Sequence, residues 1–347
     1  MGRLTGGIRQ LWFRAATLSA IFAIVALVAG CGEVAEVGRT DGQPPANTLT
    51  LLAFNATEPG WSSVLPAFAA TPEGSGVTVT ASYGASGDQA NAVLDGHPAD
   101  VVNFADEPSV TQLVSAHKIA PDWNTGPDRG NPFGSLITLV VRQGNPRQIR
   151  DWNDLLQPGI EVICPNPARV GSGKWSLLAA YAAMSDGNKD RQAGMEFVRS
   201  LVLEHVKVGP TTLRDATDAF NSGSGDVLIT PEANAINLER QGKPVEHITP
   251  PQTLKTDYQV AVLSSSAHSD VATRLAHFLY TVDAQRLWAK AGFRPVQPDV
   301  AAEFAGDFPM PPTLWTISDL GGWKQVQLRF FDSKNGTITR IFNQATE

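Results

Sequence analysis

The sequence predicts an α/β fold in two lobes, and three observations lead there. From Thr48 onward short β-rich runs alternate with segments of helical period, the pattern of strands covered by helices on both faces of parallel sheets. Residues 47–347 are enough chain for two lobes of ordinary domain size. Three of the strand-to-helix junctions put Gly, Ser or Thr where the helix begins, so their free N–H groups and dipoles can meet a ligand beyond the carboxyl ends of the strands.

Before the fold comes a leader. Arg3, Arg9 and Arg14 precede the apolar run "LSAIFAIVALVAG", and residues 1–30 hold no acidic side chain. This is a secretory signal pattern, its apolar run short for a membrane span. Val28-Ala29-Gly30-Cys31 resembles the lipobox of bacterial lipoproteins. That resemblance implies a lipidated Cys31 as the new N-terminus and an anchor at the outer face of the cell membrane. Residues 31–46, small, polar and Pro-containing, read as a tether.

The elements then follow in order. Strands are expected at 48–54, 76–83, 99–105, 134–142, 159–165, 206–208, 226–230 and 258–264. Helices are expected at 61–70, 86–96, 108–119, from Ser172, at 212–222, and as one long amphipathic segment over 269–293.

Composition narrows the function. The chain has 27 basic and 34 acidic side chains; without the leader arginines its formal charge falls from −7 to −10. Phosphate neutralisation on nucleic acid needs clustered Lys and Arg, so that class is excluded, and any anion must be held by local dipoles. Apart from Cys31 there is only Cys164, so no intrachain disulfide is expected. The six histidines show no HExxH spacing and neither Ser86 nor Ser172 lies in G-x-S-x-G, so neither a metal or cofactor nor an enzyme activity is expected. "ARVGSGKW" (168–175) has the look of a phosphate-binding P-loop, but Ala168 and Trp175 stand where that motif requires Gly and Ser or Thr. What remains is an anion site at the junctions "YGASGDQ" (83–89), "RVGSGKW" (169–175) and "VGPTTLRD" (208–215).

The stretches "VRQGNPRQIRDWNDLLQPGIEVICPNP" (141–167), "GSGDVLITPEANA" (223–235), "FRP" (293–295), "WTISDLGGW" (315–323) and "YGASGDQA" (83–90) resemble the sulfate/thiosulfate-binding proteins of ATP-driven importers, in order from about residue 48 to the end. The resemblance implies a type II periplasmic-binding-protein fold: two α/β lobes, 47–133 plus 256–347 and 134–255, joined by two crossover strands with sulfate closed in the cleft. It also implies an extracytoplasmic monomer that passes sulfate to a membrane permease and its ATPase; thiosulfate, molybdate or phosphate in the same role is the alternative. Matched by position, the donors to sulfate are the Ser86 hydroxyl and the N–H groups of Thr57 or Glu58, Gly171, Ser172 and Leu213, with Lys174 and Arg214 standing behind the site.

Two positions depart from the family pattern. Val170 stands where relatives carry a serine, and Pro231 where they carry an indole donor. Ser172 is the position to which the missing hydroxyl can move. A phosphate site would need a buried carboxylate to accept the phosphate proton, whereas sulfate only accepts hydrogen bonds and is repelled by such a group. Asp88 and Asp106 are the two acids that could serve phosphate; their plainer readings are a first-turn helix acid and a helix cap.

Overall fold

The computed structural model describes residues 48–346. The leader (1–30), the tether (31–46) and Cys31 lie outside the described residues.

In the first half, β1 (Thr48–Phe54) pairs in parallel with β2 (Thr78–Gly84) on one side and β3 (Val101–Phe104) on the other. α1 (Glu58–Ala69), α2 (Ser86–Leu94) and α3 (Glu107–Ser115) follow these strands in turn. In the second half, β5 (Val162–Ile163) lies between β6 (Val206–Val208) and β7 (Val227–Pro231), again in parallel. Here α4 (Gly171–Met184), α5 (Arg191–Ser200), α6 (Leu213–Asn221) and α7 (Glu232–Arg240) provide the helical layers.

Two long strands join the halves. β4 (Phe133–Arg142) pairs antiparallel with β7 through residues 137–141, and β9 (Gln252–Val262) pairs antiparallel with β3 through 259–262. The two meet each other antiparallel, Phe133 opposite Tyr258 through Leu136 opposite Lys255. Phe133 and Tyr258 belong to one apolar core, while Ile137, Leu139 and Leu254 belong to another. Each strand thus leaves one core and enters the next within a few residues. The halves are parallel sheets as expected, but the crossover strands make the whole sheet mixed, because each arrives from the opposite half. The first six residues of β9, "QTLKTD", lie outside the expected strand: buried Thr253, Leu254 and Thr256 alternate imperfectly with Lys255 and Asp257, which pair at 2.8 Å.

Short strands complete the sheet: β8 (Val245–Ile248) and β10 (Arg294–Pro295) on β4, and β11 (Thr313–Trp315) on β9. The segment expected as one helix over 269–293 is two, α8 (Ser269–Phe278) and α9 (Val282–Lys290). Thr281 breaks it: its backbone is extended and its hydroxyl accepts the Ala284 N–H as an N-cap. α10 (Pro298–Glu303) leads on to α11 (Gly322–Val326) and α12 (Thr337–Thr346).

The tail departs from the expected division. Residues 256–347 are expected in the first half, yet Trp323, Phe330, Phe331 and Phe342 pack in the core of Trp152, Trp175 and Tyr181, which is that of the second. Trp323 meets Trp175 edge-on, with ring centroids 4.8 Å apart. The tail therefore folds back onto the second core. Phe330→Ala should lower stability by about 3–5 kcal/mol, the usual cost of removing a buried ring, measured by urea denaturation; an unchanged midpoint would detach the tail from this core.

Candidate anion-binding site

The carboxyl ends of β1, β3 and β7 and the starts of α2, α4 and α6 converge on one cavity of about 30 Å³. Drug-sized ligands occupy pockets of roughly 300–1,000 Å³, so this one suits a compact ion. Its wall includes Asn55 and Ala56 after β1, Ser86 at α2, Gly171 and Ser172 at α4, and Leu213 at α6.

The helix starts explain why an anion would enter. The N-cap positions of α2 and α4 are Ala85 and Val170, both extended and both without a side-chain hydrogen bond to the helix. A Ser, Thr, Asp or Asn there would take up the first-turn N–H groups; alanine and valine leave them free. In α4 the Gly173 N–H already donates to Val170 O at 3.1 Å, leaving Gly171 and Ser172 as the open donors. α6 is capped by Thr212, whose hydroxyl accepts the Asp215 N–H at 3.0 Å, so Leu213 keeps its own. Each start adds roughly half a positive charge.

Ser86 is 2% exposed, and its Oγ accepts the Ala105 N–H at 2.9 Å. With that lone pair in use, its proton is available to the cavity. The Ser172 hydroxyl has no partner among the described residues. Gly173 is required sterically, since a Cβ there would sit only 2.3 Å from the Pro165 carbonyl oxygen; at Gly171 a Cβ would sit tightly, 3.0 Å from Asp106 Oδ2.

Charged side chains stay off the wall. Lys174 turns from the cavity to Asp106, Nζ to Oδ2 at 3.1 Å, and both are substantially buried. Asp106 also caps α3, accepting Ser109 N–H at 3.0 Å and Ser109 Oγ–H at 2.7 Å. Burial alone would raise its carboxyl; the Lys174 ammonium and the Ser109 hydrogen bonds outweigh that and hold it below the ordinary carboxylate value. Asp88 is exposed on the first turn of α2. Arg214 pairs with Glu58 at 3.0 Å on the rim, both largely exposed, a contact contributing about 0–1 kcal/mol. Next to Lys174, the Trp175 indole donates to the Ala105 carbonyl at 2.6 Å.

The structure thus brings Ser86, Gly171, Ser172 and Leu213 together, and places Lys174 and Arg214 outside the wall. Thr57 and Glu58 are not on it. Thr57 is buried with its hydroxyl donating to Phe54 O at 2.7 Å, and the Glu58 N–H donates to Asn55 O. A 3-10 turn over Asn55–Thr57 shifts the cavity contact back to Asn55 and Ala56, a displacement with no mark in the sequence. Val170 and Pro231, the two departures, both line the wall.

Among the described residues no group of His, Cys, Asp or Glu could hold a metal ion, and no helix is long and apolar enough to cross a membrane. Burial pushes the Cys164 thiol up to about 12, which keeps it protonated and unreactive.

The buried pair supplies a pH test. Because the folded carboxyl lies below its unfolded value of about 3.9, its stabilisation is complete above that value and is lost as pH falls through the folded one. Asp106→Asn should cost about 3–5 kcal/mol at neutral pH by leaving Lys174 unpaired, and should flatten the acid limb of stability against pH. Denaturation across a pH series checks both; an unaltered acid limb would remove Asp106 from this account.

Comparison with known proteins places the chain in a family. Residues 49–294 match the family model described as bacterial extracellular solute-binding protein. A sulfate-binding protein of Synechococcus elongatus is 32% identical over 94% of this chain and 95% of its own, and a thiosulfate-binding protein of Pseudomonas aeruginosa is 31% identical over 78% and 84%. The solved structure of the sulfate-binding protein SubI of Mycobacterium tuberculosis superposes with a TM-score of 0.81 at 57% identity, covering 82% of this chain and all of that one. These relatives bind solutes rather than transform them. On the breadth of these matches, the chain belongs to the family of bacterial extracellular solute-binding proteins.

Proposed function

We propose that the chain captures sulfate in this cavity and delivers it to an ABC-type importer, held at the outer face of the cell membrane by lipid on Cys31. The observation that carries the reading is the pair of uncapped, buried helix starts at Ser86 and Gly171–Ser172, aimed with the Ser86 hydroxyl into a cavity of ionic size. Burying a dianion is costly unless donors replace its water. Here the N–H groups of Ser86, Gly171, Ser172 and Leu213 and the hydroxyls of Ser86 and Ser172 take that part. Sulfate carries no proton at neutral pH, so a wall of donors suits it. Protonated phosphate would need an acceptor, and Asp106 is already engaged by Lys174 and Ser109.

Delivery requires opening and closing. In this reading the lobes are 48–133 with 256–312, and 134–255 with the tail from Thr313, and they hinge where β4 and β9 meet. Lys174–Asp106, Trp175–Ala105 and Arg214–Glu58 then span the cleft as ties of the closed form. The thiosulfate-binding relative makes thiosulfate the second candidate ligand, in the same role.

Calorimetry on the purified protein should show sulfate binding, and Ser86→Ala should weaken it about ten- to a hundredfold, the equivalent of one hydrogen bond to a charged group. No heat of binding for sulfate at millimolar concentration would sink the sulfate reading, and competition with thiosulfate ranks the two ions. Separately, Cys31→Ser should abolish labelling by palmitate in the native host; persistent label would rule out Cys31 as the anchor.

A further inference from the structure

We infer that Arg294 is a positioning residue for the anion site and acts through Glu232, the two forming a charge-cancelled pair behind the wall at Pro231. The pair joins two of the stretches that carry the family resemblance, "FRP" (293–295) and "GSGDVLITPEANA" (223–235), neither of which supplies a donor to the ion. Pro231 ends β7, lines the cavity and is the N-cap position of α7, so Glu232 is the first residue of that helix. The Glu232 side chain is fully buried, a rare place for a carboxylate unless it is paired, and here it stands one residue from the wall of an anion cavity. Arg294 is on β10, which pairs with Phe133 and Gly134 of β4 where the two connecting strands meet. Its Nε and Nη2 donate to the two Glu232 carboxylate oxygens at 2.7 and 2.8 Å. Nη1 and Nη2 also donate to the carbonyls of Phe308 and Pro309 at 3.2 and 2.9 Å, which fixes the guanidinium.

α7 differs from the helices that open on the cavity. Pro231 has no N–H, and the Ala233 N–H already donates to Ser135 Oγ at 3.2 Å. The partial positive charge of this helix start is met by the Glu232 carboxylate in its first turn, and Arg294 balances that carboxylate in turn. An unpaired buried charge acts at long range in the low-dielectric interior, so either partner alone would act on an ion in the cavity, with opposite sign. The bare carboxylate would repel an oxyanion; the bare guanidinium would hold it and slow its release. Kept as a pair, the two leave affinity to the N–H donors.

This inference rests on the oxyanion reading above, and the test separates the two. Wild type, Glu232→Gln, Arg294→Gln and the double variant are titrated by calorimetry with sulfate, thiosulfate and molybdate, and the ligand-free melting temperature of each is recorded. The expected result for Glu232→Gln is sulfate affinity raised about tenfold together with a lowered ligand-free melting temperature, a combination that a purely structural role would not produce. Arg294→Gln should weaken binding by a similar factor, and the double variant, which restores neutrality, should return it to near the wild-type value. Where Arg294→Gln does not fold, the sign of the Glu232→Gln change decides alone. Wild type that binds none of the three ions overturns the oxyanion reading itself. Wild type that binds while Glu232→Gln matches it or falls below it in affinity overturns the role of the pair alone.

Discussion

A buried N–H group must find an acceptor, and that requirement organises this molecule. α2 and α4 begin without side-chain caps at a cavity, so the N–H groups that face it are free to meet something that enters it. The sheet serves this end. Parallel strands in each half point their carboxyl ends toward the cavity, and the helices that follow start there with their dipoles converging. The residues that look least suited to a helix start, Ala85 and Val170, are the ones that keep the donors open. α3, α5, α6 and α9 carry Asp or Thr caps; α2 and α4, like α8 and α10 away from the cavity, do not.

The second constraint is the exclusion of full charges from the wall. A lysine facing an ion would hold it strongly and release it poorly; Lys174 instead neutralises Asp106 and leaves the cavity to dipoles. Buried ion pairs contribute little net stability beside an apolar alternative, but they are costly to break. The Lys174–Asp106 pair, with the Trp175–Ala105 hydrogen bond, is therefore better understood as fixing geometry than as a source of stability.

Much of this was legible in the sequence. Alternating strands and helices and the three junctions follow from local pattern, because helix starts and strand runs are local features; positions 86, 171, 172 and 213, which the family resemblance implies as donors, all line the cavity. The antiparallel crossover was not legible, since strand direction depends on partners more than a hundred residues away. Nor was the break at Thr281, where a strong amphipathic period masked a single cap, or the return of Trp323 and Phe330 to the second core. Val170 read as a loss when set against the family pattern; in the structure it occupies an N-cap, where valine has a physical purpose.

Ala105 lies where these strands of argument meet. Its N–H is read by Ser86, at the cavity, and its carbonyl by Trp175, one helical turn beyond Gly171 and Ser172. One peptide segment is thus shared by the group that would sense the ion and the group that grips across the cleft. By thermodynamic reciprocity, whatever free energy the ion contributes to that grip, the grip returns to the ion. Under the proposed function, occupancy and shape would be a single variable, and a receptor would need to examine only the outline of the protein to tell full carriers from empty ones.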